Sequence, residues 1–448
     1  MKYDILESIR AELDKCTKCA SCQAGCYTYE LTSSETLAAR GKIRLAQGVL
    51  AGEIDITDRV ANDFTQCLSC MSCLSACPTG VDTMQVFSAM KAEMHRQNGP
   101  GPIAGFIFKW LLPYPRRLNV LAKLVGFASI FYKWAPARFA EFFPFTPGGI
   151  KRVTPNFLKL NLRLRVPTKN PAKNVNANTS IKRVIYYTGC MTDLSFTDTG
   201  VTVIKRLQEM GVEVIYPKDQ VCCGAPSYYS GDMETSIALA KKNIKVLSAY
   251  EADAIVYSCA TCGSVLAEKY PKMFPNDKKV AELCAKVTDL QKLMMQIGIE
   301  QAVKQKADGK KLKVTYHDPC HLKRGMGVWK EPRELLKSLP GVEFVEMKNA
   351  DRCCGGSGTF GLNFYDMSMD VGKLKADAIY ESGADIVVTA CPSCQIQIED
   401  SLHRHGYDIP TAHTIDLIDY ALSPCQKTAR ETKSDSSTNS KSAVKANH

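Results

Sequence analysis

A duplicated pattern of ten cysteines constrains this chain more than any other feature of its sequence. Each copy has one cysteine after a short apolar run, then an adjacent pair followed by glycine, then a C-x-x-C pair. The first copy contains Cys190, Cys222, Cys223, Cys259 and Cys262, and the second contains Cys320, Cys353, Cys354, Cys391 and Cys394. Each cysteine of the second copy follows its counterpart by 130 to 132 positions. A repeat of this regularity indicates a duplicated domain.

Apolar runs precede the cysteines in both copies and predict the fold of the duplicated unit. The runs IKRVIYY, ADAIVYS, KLKVTYH and ADIVVTA have the length and composition of buried parallel strands. Helical patterns follow them, so we expect the cysteines at the carboxyl ends of strands, where open α/β sheets bind ligands. The residues alone therefore predict a duplicated α/β domain with a thiolate-rich metal site in each half.

Eight further cysteines in residues 1–100 form two groups with C-x2-C-x2-C-x3-C spacing. Thiolates at this spacing hold three corners of one 4Fe–4S cubane, whereas the fourth cysteine crosses to the other cluster. We therefore assign one cluster to Cys16, Cys19, Cys22 and Cys77, and the other to Cys67, Cys70, Cys73 and Cys26. A pair of structural zinc sites is the alternative, because C-x2-C pairs also bind zinc.

The first of these groups departs from the bacterial ferredoxin run at one position. Cys77 is followed by Pro78, as in that run, whereas Cys26 is followed by Tyr27. The proline shapes a turn and binds no iron, so we expect the departure to leave ligation intact. The stretch between the groups, LAARGKIRLAQGVLAGEIDITDRV, predicts a helical module.

The whole chain is predicted to be a multidomain protein of α+β and α/β class, in which a helical two-cluster ferredoxin-like module precedes the duplicated α/β domain. The predicted segments are a two-cluster domain (1–100), a basic aromatic linker (101–180), two cysteine-rich repeats (181–310 and 311–424) and a disordered tail (425–448). The N-terminus MKYDILESIRAELDKC contains no apolar stretch of signal-peptide length, so we expect a cytoplasmic protein.

The formal net charge of +11 is concentrated in the linker. Residues 101–183 contain 15 Lys and Arg but one acid, Glu141. Because this excess lies in a connecting stretch and not on a recognition motif, we predict no nucleic-acid partner. Basic residues and prolines interrupt the apolar runs, so none is long enough to span a bilayer. Three interpretations stay open: peripheral contact of residues 101–150 with the cytoplasmic face of the inner membrane, docking on a partner subunit, or packing on the chain's own domains.

The duplicated motif closely resembles the cysteine-rich (CCG) domain family, through Cys222-Cys223-Gly224 with Cys259 and Cys262, and through its counterpart in the second copy. That family includes the catalytic subunit of heterodisulfide reductase, the electron-transfer subunit of anaerobic glycerol-3-phosphate dehydrogenase, and iron–sulfur subunits of glycolate and lactate dehydrogenases. The resemblance implies one or two further iron–sulfur clusters, of non-cubane or modified type, held by the complete five-cysteine sets. In some members of the family one set binds zinc, so the metal of each set stays open.

The resemblance also implies a function. The stretches RGKIRLAQGVLAGEIDI and TQCLSCMSCLSACPTGVDT are similar to the iron–sulfur subunits of lactate and glycolate dehydrogenases. Such a subunit receives electrons from a separate FAD subunit and passes them towards quinone or another carrier, and we expect no FAD on this chain. One alternative is a heterodisulfide-reductase-like enzyme, which the completeness of both cysteine sets favours. Another is the glycerol-3-phosphate dehydrogenase subunit, because YHDPCHLKRGMG and CCGGSGTFG resemble that branch. The sequence identifies no catalytic residue.

Three weaker signals are assigned ordinary roles. Residues 356–361 match G-x-G-x-x-G but follow a cysteine pair directly, so we expect them to let the backbone approach a cluster instead of binding a nucleotide. His317 and His321 flank Cys320, and we expect hydrogen bonding near the site more than ligation. Cys284 and Cys425 have no partner at the repeat spacing and are predicted to be incidental thiols.

Overall fold

The computed structural model describes residues 3–99, 101–132, 152–153, 155–174, 181–299 and 311–423. The N-terminal range is helical, and the two long C-terminal ranges are each built around one β-sheet flanked by helices. This mixture of helical and α/β parts confirms the predicted fold class in outline. The predicted domain boundaries stay predictions, and Cys425 with the predicted tail lies outside the described residues.

Residues 3–99 form a module of short helices. They are α1 (Asp4–Glu7), α2 (Arg10–Asp14), α3 (Tyr27–Thr32), α4 (Ala39–Ala51), α5 (Asp58–Thr65), α6 (Ser72–Ser75) and α7 (Thr83–Asn98), with a 3-10 turn at Glu35–Leu37. Asp82 starts α7 as an N-cap, since its carboxylate accepts a hydrogen bond from the Gln85 amide. The rings of Phe64 and Phe87 meet edge to face, with centroids 6.0 Å apart, in the buried core of the module.

A helical arm follows the module and contains no acidic residue between 101 and 132. It consists of α8 (Pro102–Phe106), a π-helical turn (Ile107–Leu111) and α9 (Pro115–Tyr132). Phe108 and Leu112 are buried in the same hydrophobic core as the first cysteine-rich repeat. No helix among the described residues is long and apolar enough to cross a membrane.

Two sheets follow the arm, and they share an order of four parallel strands, to which the first sheet adds one antiparallel edge strand. The first contains β1 (Lys169–Asn170), β2 (Arg183–Tyr187), β3 (Glu213–Ile215), β4 (Ala254–Tyr257) and β5 (Val287–Asp289), in the order β1-β3-β2-β4-β5. The second contains β6 (Leu312–Tyr316), β7 (Val342–Phe344), β8 (Ile386–Thr389) and β9 (Thr411–His413), in the order β7-β6-β8-β9. All pairings are parallel except that of β1 with β3. The four apolar runs predicted as strands are β2, β4, β6 and β8, so that prediction is confirmed.

Helices connect and flank the strands of both sheets. Around the first sheet they span Leu162–Arg165, Gly189–Leu194, Thr197–Glu209, Ala225–Ser230, Met233–Leu247, Ala260–Ser264, Tyr270–Met273, Lys278–Ala285 and Leu290–Gln296, with a π-helical turn at Val265–Lys269. Around the second they span Lys330–Ser338, Phe360–Asn363, Tyr365–Glu381, Pro392–Arg404 and Thr414–Leu422, with a π-helical turn at His321–Gly325.

The two repeats pack against each other over a shared core. Buried residues of both sheets, among them Tyr186 and Tyr316, belong to one hydrophobic cluster. At its edge Arg206 donates a 2.6 Å hydrogen bond to Asp419, and Thr199 donates one of 2.7 Å to Asp416. The repeats are therefore joined by apolar burial and by charge-assisted contacts, which orients their cysteine-bearing edges relative to each other.

Candidate metal centres

The eight N-terminal cysteines line two neighbouring pockets. One, of ≈ 340 Å³, is lined by Cys16, Cys19, Cys22, Cys73 and Cys77, and the other, of ≈ 370 Å³, by Cys26, Cys67, Cys70 and Cys73. The last cysteine of each sequence group thus lies with the other group, as in the crossed arrangement that the spacing predicts. Cys73 borders both pockets.

Both cysteine loops of the module turn through left-handed backbone at corresponding positions. Lys18 and Ala20 have φ of 63° and 67° in the first loop, and Ser69 and Met71 have φ of 49° and 62° in the second. This conformation costs non-glycine residues about 1–2 kcal/mol each. Strain concentrated in this way is typical of loops that are held for a ligand.

Tyr27 and Arg324 join the N-terminal module to the second repeat. Tyr27 packs with Leu68, Cys70 and Cys353 in one buried cluster. Arg324 donates hydrogen bonds to the Cys70 carbonyl at 3.3 Å and to the Tyr27 hydroxyl at 3.5 Å. Sequence reasoning missed both residues. The one signal was Tyr27 itself, which stands where the ferredoxin run has proline.

The ten cysteines of the repeats form one continuous row of thiols. In order of contact, the row is Cys190, Cys222, Cys223, Cys262, Cys259, Cys391, Cys394, Cys354, Cys353 and Cys320. The contact between Cys259 and Cys391 joins the two copies, and beside it the Ala260 amide donates a 3.2 Å hydrogen bond to the Ala390 carbonyl. The sequence predicted one thiolate-rich site in each half and did not predict that the two sets touch.

Strand ends and helix starts explain where these thiols lie. Cys259 and Cys391 follow β4 and β8 and are the N-cap residues of the helices Ala260–Ser264 and Pro392–Arg404. Cys190 lies in the first turn of the helix after β2. The expected position of the cysteines, between strand ends and helix N-termini, is confirmed for these three.

The backbone conformation directly after each adjacent cysteine pair requires a glycine. Gly224 has φ of +89° and Gly355 has φ of +90°, a region that side chains rarely adopt. A Cβ atom on Gly355 would also lie 2.3 Å from the Ser368 carbonyl oxygen. The C-C-G sequence thus makes the tight turn that directs two adjacent thiols into the row.

The thiols of the site are free, and burial together with their mutual contacts perturbs their acidity. Every described cysteine is a free thiol. Desolvation raises the pKa of Cys73 to about 12, and the hydrogen bond with Cys222, followed by desolvation, raises the pKa of Cys190. Within the first set, in contrast, hydrogen bonds from Cys222 and Cys262 lower the pKa of Cys223.

This set of donors fits a metal that ionises thiols on binding. Thiols whose pKa is raised in the folded chain, such as Cys73 and Cys190, lose their protons to a bound cation, which then supplies the missing counter-charge. Free, clustered cysteines, largely buried in the row and held on strained loops in the module, are therefore suited to iron–sulfur clusters, which thiolates hold.

A cleft of ≈ 1010 Å³ opens between the module and both repeats. Cysteines of both copies line it, together with Lys91, Tyr229, His321 and residues 356–360. Lys91 donates a 3.1 Å hydrogen bond to the Tyr229 carbonyl, and so links α7 to the first repeat. The glycine-rich stretch therefore borders the cysteine site, as expected from its position after the cysteine pair.

The two histidines next to Cys320 have different surroundings. His321 lies with one ring nitrogen 3.0 Å from the Tyr229 hydroxyl and the other 3.4 Å from the Cys320 sulfur. His317 is buried behind the row, 1% exposed. Desolvation lowers the pKa of His317 to about 3 and that of His321 to about 4, so both rings are neutral.

Cys284 lies apart from the row. It is buried in the hydrophobic core of the first repeat, and desolvation raises its pKa to about 11. No thiol contact of Cys284 occurs among the described residues. This placement agrees with the prediction of an incidental thiol.

Comparison with known proteins identifies the two kinds of domain. The family model described as "Cysteine-rich domain" matches residues 184–267 and 314–399, and the one described as "4Fe-4S dicluster domain" matches residues 12–81. The chain is similar to the probable glycolate oxidase iron-sulfur subunit of Bacillus subtilis (strain 168), with 30% identity over 426 residues that cover 91% of this chain and 93% of the relative.

Two other relatives are named for different activities. One is a subunit of the dihydromethanophenazine:CoB–CoM heterodisulfide reductase of Methanosarcina acetivorans, which is 25% identical over 433 residues, covering 92% of this chain and 94% of the relative. Lactate utilization protein A of Macrococcus caseolyticus is 32% identical over 240 residues, covering 53% of this chain and 96% of the relative.

Proposed function

Since this chain belongs to the family of CCG-domain iron–sulfur proteins that contains the glycolate oxidase and lactate utilization subunits, we propose that it is the electron-transfer subunit of a flavin-dependent 2-hydroxy acid dehydrogenase. Its donor would be a separate FAD subunit that oxidises lactate or glycolate. The observation that carries the proposal is the similarity to a glycolate oxidase iron-sulfur subunit over nearly the whole of both chains.

The proposed ligands are the cysteines of the pockets and the row. Cys16, Cys19, Cys22 and Cys77 would hold one 4Fe–4S cluster, and Cys26, Cys67, Cys70 and Cys73 the other. Each five-cysteine set of the repeats would hold one further cluster. When bound, such clusters supply one-electron transfer.

The residues between the centres support this function by excluding water and by holding the module in place. Tyr27, Cys70 and Cys353 lie in one buried cluster, so protein rather than solvent separates the second N-terminal pocket from the row. Arg324 is 9% exposed and holds Tyr27 and the Cys70 loop together through hydrogen bonds. A buried connection of this kind shields the path from the solvent reorganisation that accompanies charge movement.

The arm supports a membrane surface as the place where electrons leave. Its outer face exposes Trp110 by 58%, Val120 by 59% and Leu124 by 60%, while cations such as Arg116 accompany them without a single acid. Exposed apolar and aromatic side chains among Lys and Arg favour the interface of an anionic bilayer. We propose peripheral contact there, with a lipid-soluble quinone as acceptor.

The inner face of the arm lies on the first cysteine set. Leu112 and Leu118 line a pocket of ≈ 300 Å³ together with Cys190 and Cys222. The arm therefore lies between these thiols and the face that it exposes. This packing supports the first repeat as the site nearest the acceptor.

A second candidate function is disulfide reduction, and the cleft favours it. Because thiols of both sets line one opening with Lys91 and His321, a small disulfide could contact both centres. The heterodisulfide reductase relative also matches along nearly its full length.

Anaerobic purification of the full chain from its own host, with its bound subunits, distinguishes the electron-transfer subunit from the disulfide reductase. The proposal expects a flavoprotein in the complex and bleaching of the iron–sulfur absorbance on addition of glycolate or lactate. Oxidation of the dithionite-reduced chain by a small disulfide, without any flavoprotein, would instead establish the second candidate.

A further inference from the structure

The two cysteine sets differ at the residue three positions before their first cysteine. The first copy has Tyr187 there and the second has His317. Tyr187 is the last residue of β2, and His317 directly follows β6, so both side chains start from equivalent places in the two sheets. Any difference in their chemistry therefore distinguishes the two sites.

The hydroxyl of Tyr187 is engaged away from the thiols. It donates a 2.7 Å hydrogen bond to the Val221 carbonyl, deep in the core. The first set thus has sulfur donors and no side-chain nitrogen from this position.

The second copy has the imidazole of His317 at this position. Its Nδ1 is buried and has no hydrogen-bond partner among the described residues. A neutral imidazole nitrogen in this state can bind a metal ion through its lone pair.

The imidazole lies beside two thiols of the second set. A ring nitrogen of His317 and the sulfur atoms of Cys354 and Cys394 all lie within 4.8 Å of one another. Donors to one tetrahedral ion lie about 3.5–4 Å apart at ordinary metal–nitrogen and metal–sulfur bond lengths. The three atoms therefore need only small shifts to bind one metal ion.

We propose that Nδ1 of His317 is a ligand to iron at the second cysteine set, which makes that site a mixed imidazole–thiolate centre and leaves the first a thiolate centre. The inference rests on the proposed function in requiring iron at the second set.

Isotope labelling of histidine tests the ligand directly in the full-length, iron-loaded chain. The chain is prepared anaerobically in a histidine auxotroph with ¹⁴N- or ¹⁵N-histidine, and the paramagnetic centres are studied by pulsed EPR. We expect a strong nitrogen coupling that changes with the isotope. A spectrum that does not respond to histidine labelling overturns the proposal without any mutation.

Two variants identify the histidine. His317→Tyr introduces the residue of the first copy and should abolish the isotope-dependent coupling. His413→Gln is the matched control, because His413 is also buried but has both ring nitrogens hydrogen-bonded, to Ser258 and Ile415. Loss of the coupling in the control, or its persistence in His317→Tyr, contradicts the assignment.

The iron content of the chain shows whether the second cysteine set lacks iron or only lacks the histidine ligand. If the second set holds no iron, as shown by an unchanged iron count in Cys391→Ala, the proposed function loses one centre and this inference fails with it. If iron is present but insensitive to labelled histidine, only the ligand assignment fails.

Discussion

Gly231 tests the docking of the N-terminal module on the first repeat. It follows the helix Ala225–Ser230 with φ of +90°, and a Cβ atom there would lie 2.2 Å from the carbonyl oxygen of Lys91 in α7. Gly231→Ala therefore combines left-handed strain with a backbone clash at the contact between module and repeat. Gly406 is the matched control, because it has φ of +78° and nothing within 4 Å of its Cβ position.

The backbone strain and the clash each lower the free energy of unfolding by a separate amount. Left-handed backbone costs alanine about 1 kcal/mol, and both variants bear that cost. The clash adds about 1–3 kcal/mol, as in other overpacked contacts, or it displaces α7 from the repeat. Gly231→Ala should thus be about 2–4 kcal/mol less stable than the native chain, and Gly406→Ala about 1 kcal/mol.

Equilibrium denaturation of the anaerobic, iron-loaded chain measures the difference, and limited proteolysis between module and repeat measures the undocking. We expect Gly231→Ala to unfold at lower denaturant and to be cleaved faster before the arm. Equal destabilisation of the two variants would refute the contact between α7 and the first repeat.

Three further predictions concern other parts of the chain. Burial raises the pKa of Asp289 to about 6 from its ordinary value of 3.8, so its ionisation opposes folding increasingly as the pH rises from about 4 to 6. Asp289→Asn should raise the apparent Tm at pH 8, where it stabilises the chain by up to about 3 kcal/mol, and about half of that gain should be lost at pH 5. An equal gain at both pH values would contradict this reasoning. In flotation with phosphatidylglycerol vesicles, Leu124→Gln should weaken binding several-fold, whereas Tyr420→Gln, a similarly exposed position on another helix, should not; no vesicle binding by the native chain would exclude the membrane contact. Cys259→Ala should lower the iron content measured by mass spectrometry and Cys284→Ala should not, and the reverse result would contradict the assignment of the row.

Much of the fold could be predicted from the sequence, because its central strands have a recognisable apolar pattern. Each predicted strand is a buried parallel strand, so its apolar run is continuous and its length bounded by the cysteine that follows. The crossed grouping of Cys26 and Cys77 stays a prediction, which rests on the ferredoxin spacing and agrees with the pockets that these cysteines line.

The contacts between the two repeats could not be predicted from the sequence. Contact of Cys259 with Cys391 depends on how two sheets pack across a shared core, and no local pattern encodes that packing. The roles of His317 and His321 depend on which ring nitrogen finds a partner, although both flank the same cysteine. The arm contained apolar residues on every side, so its periodicity left open which face packs on the repeat.

The central claim is that this chain carries electrons away from a flavoprotein that oxidises a 2-hydroxy acid. Stopped-flow mixing of the anaerobic complex with glycolate or lactate tests it most directly, with the iron–sulfur absorbance followed over single turnovers. We predict that the absorbance bleaches after the flavin is reduced and recovers on addition of a soluble quinone analogue. Reduction of the flavin without any bleaching, together with oxidation of the pre-reduced chain by a disulfide, would contradict the account.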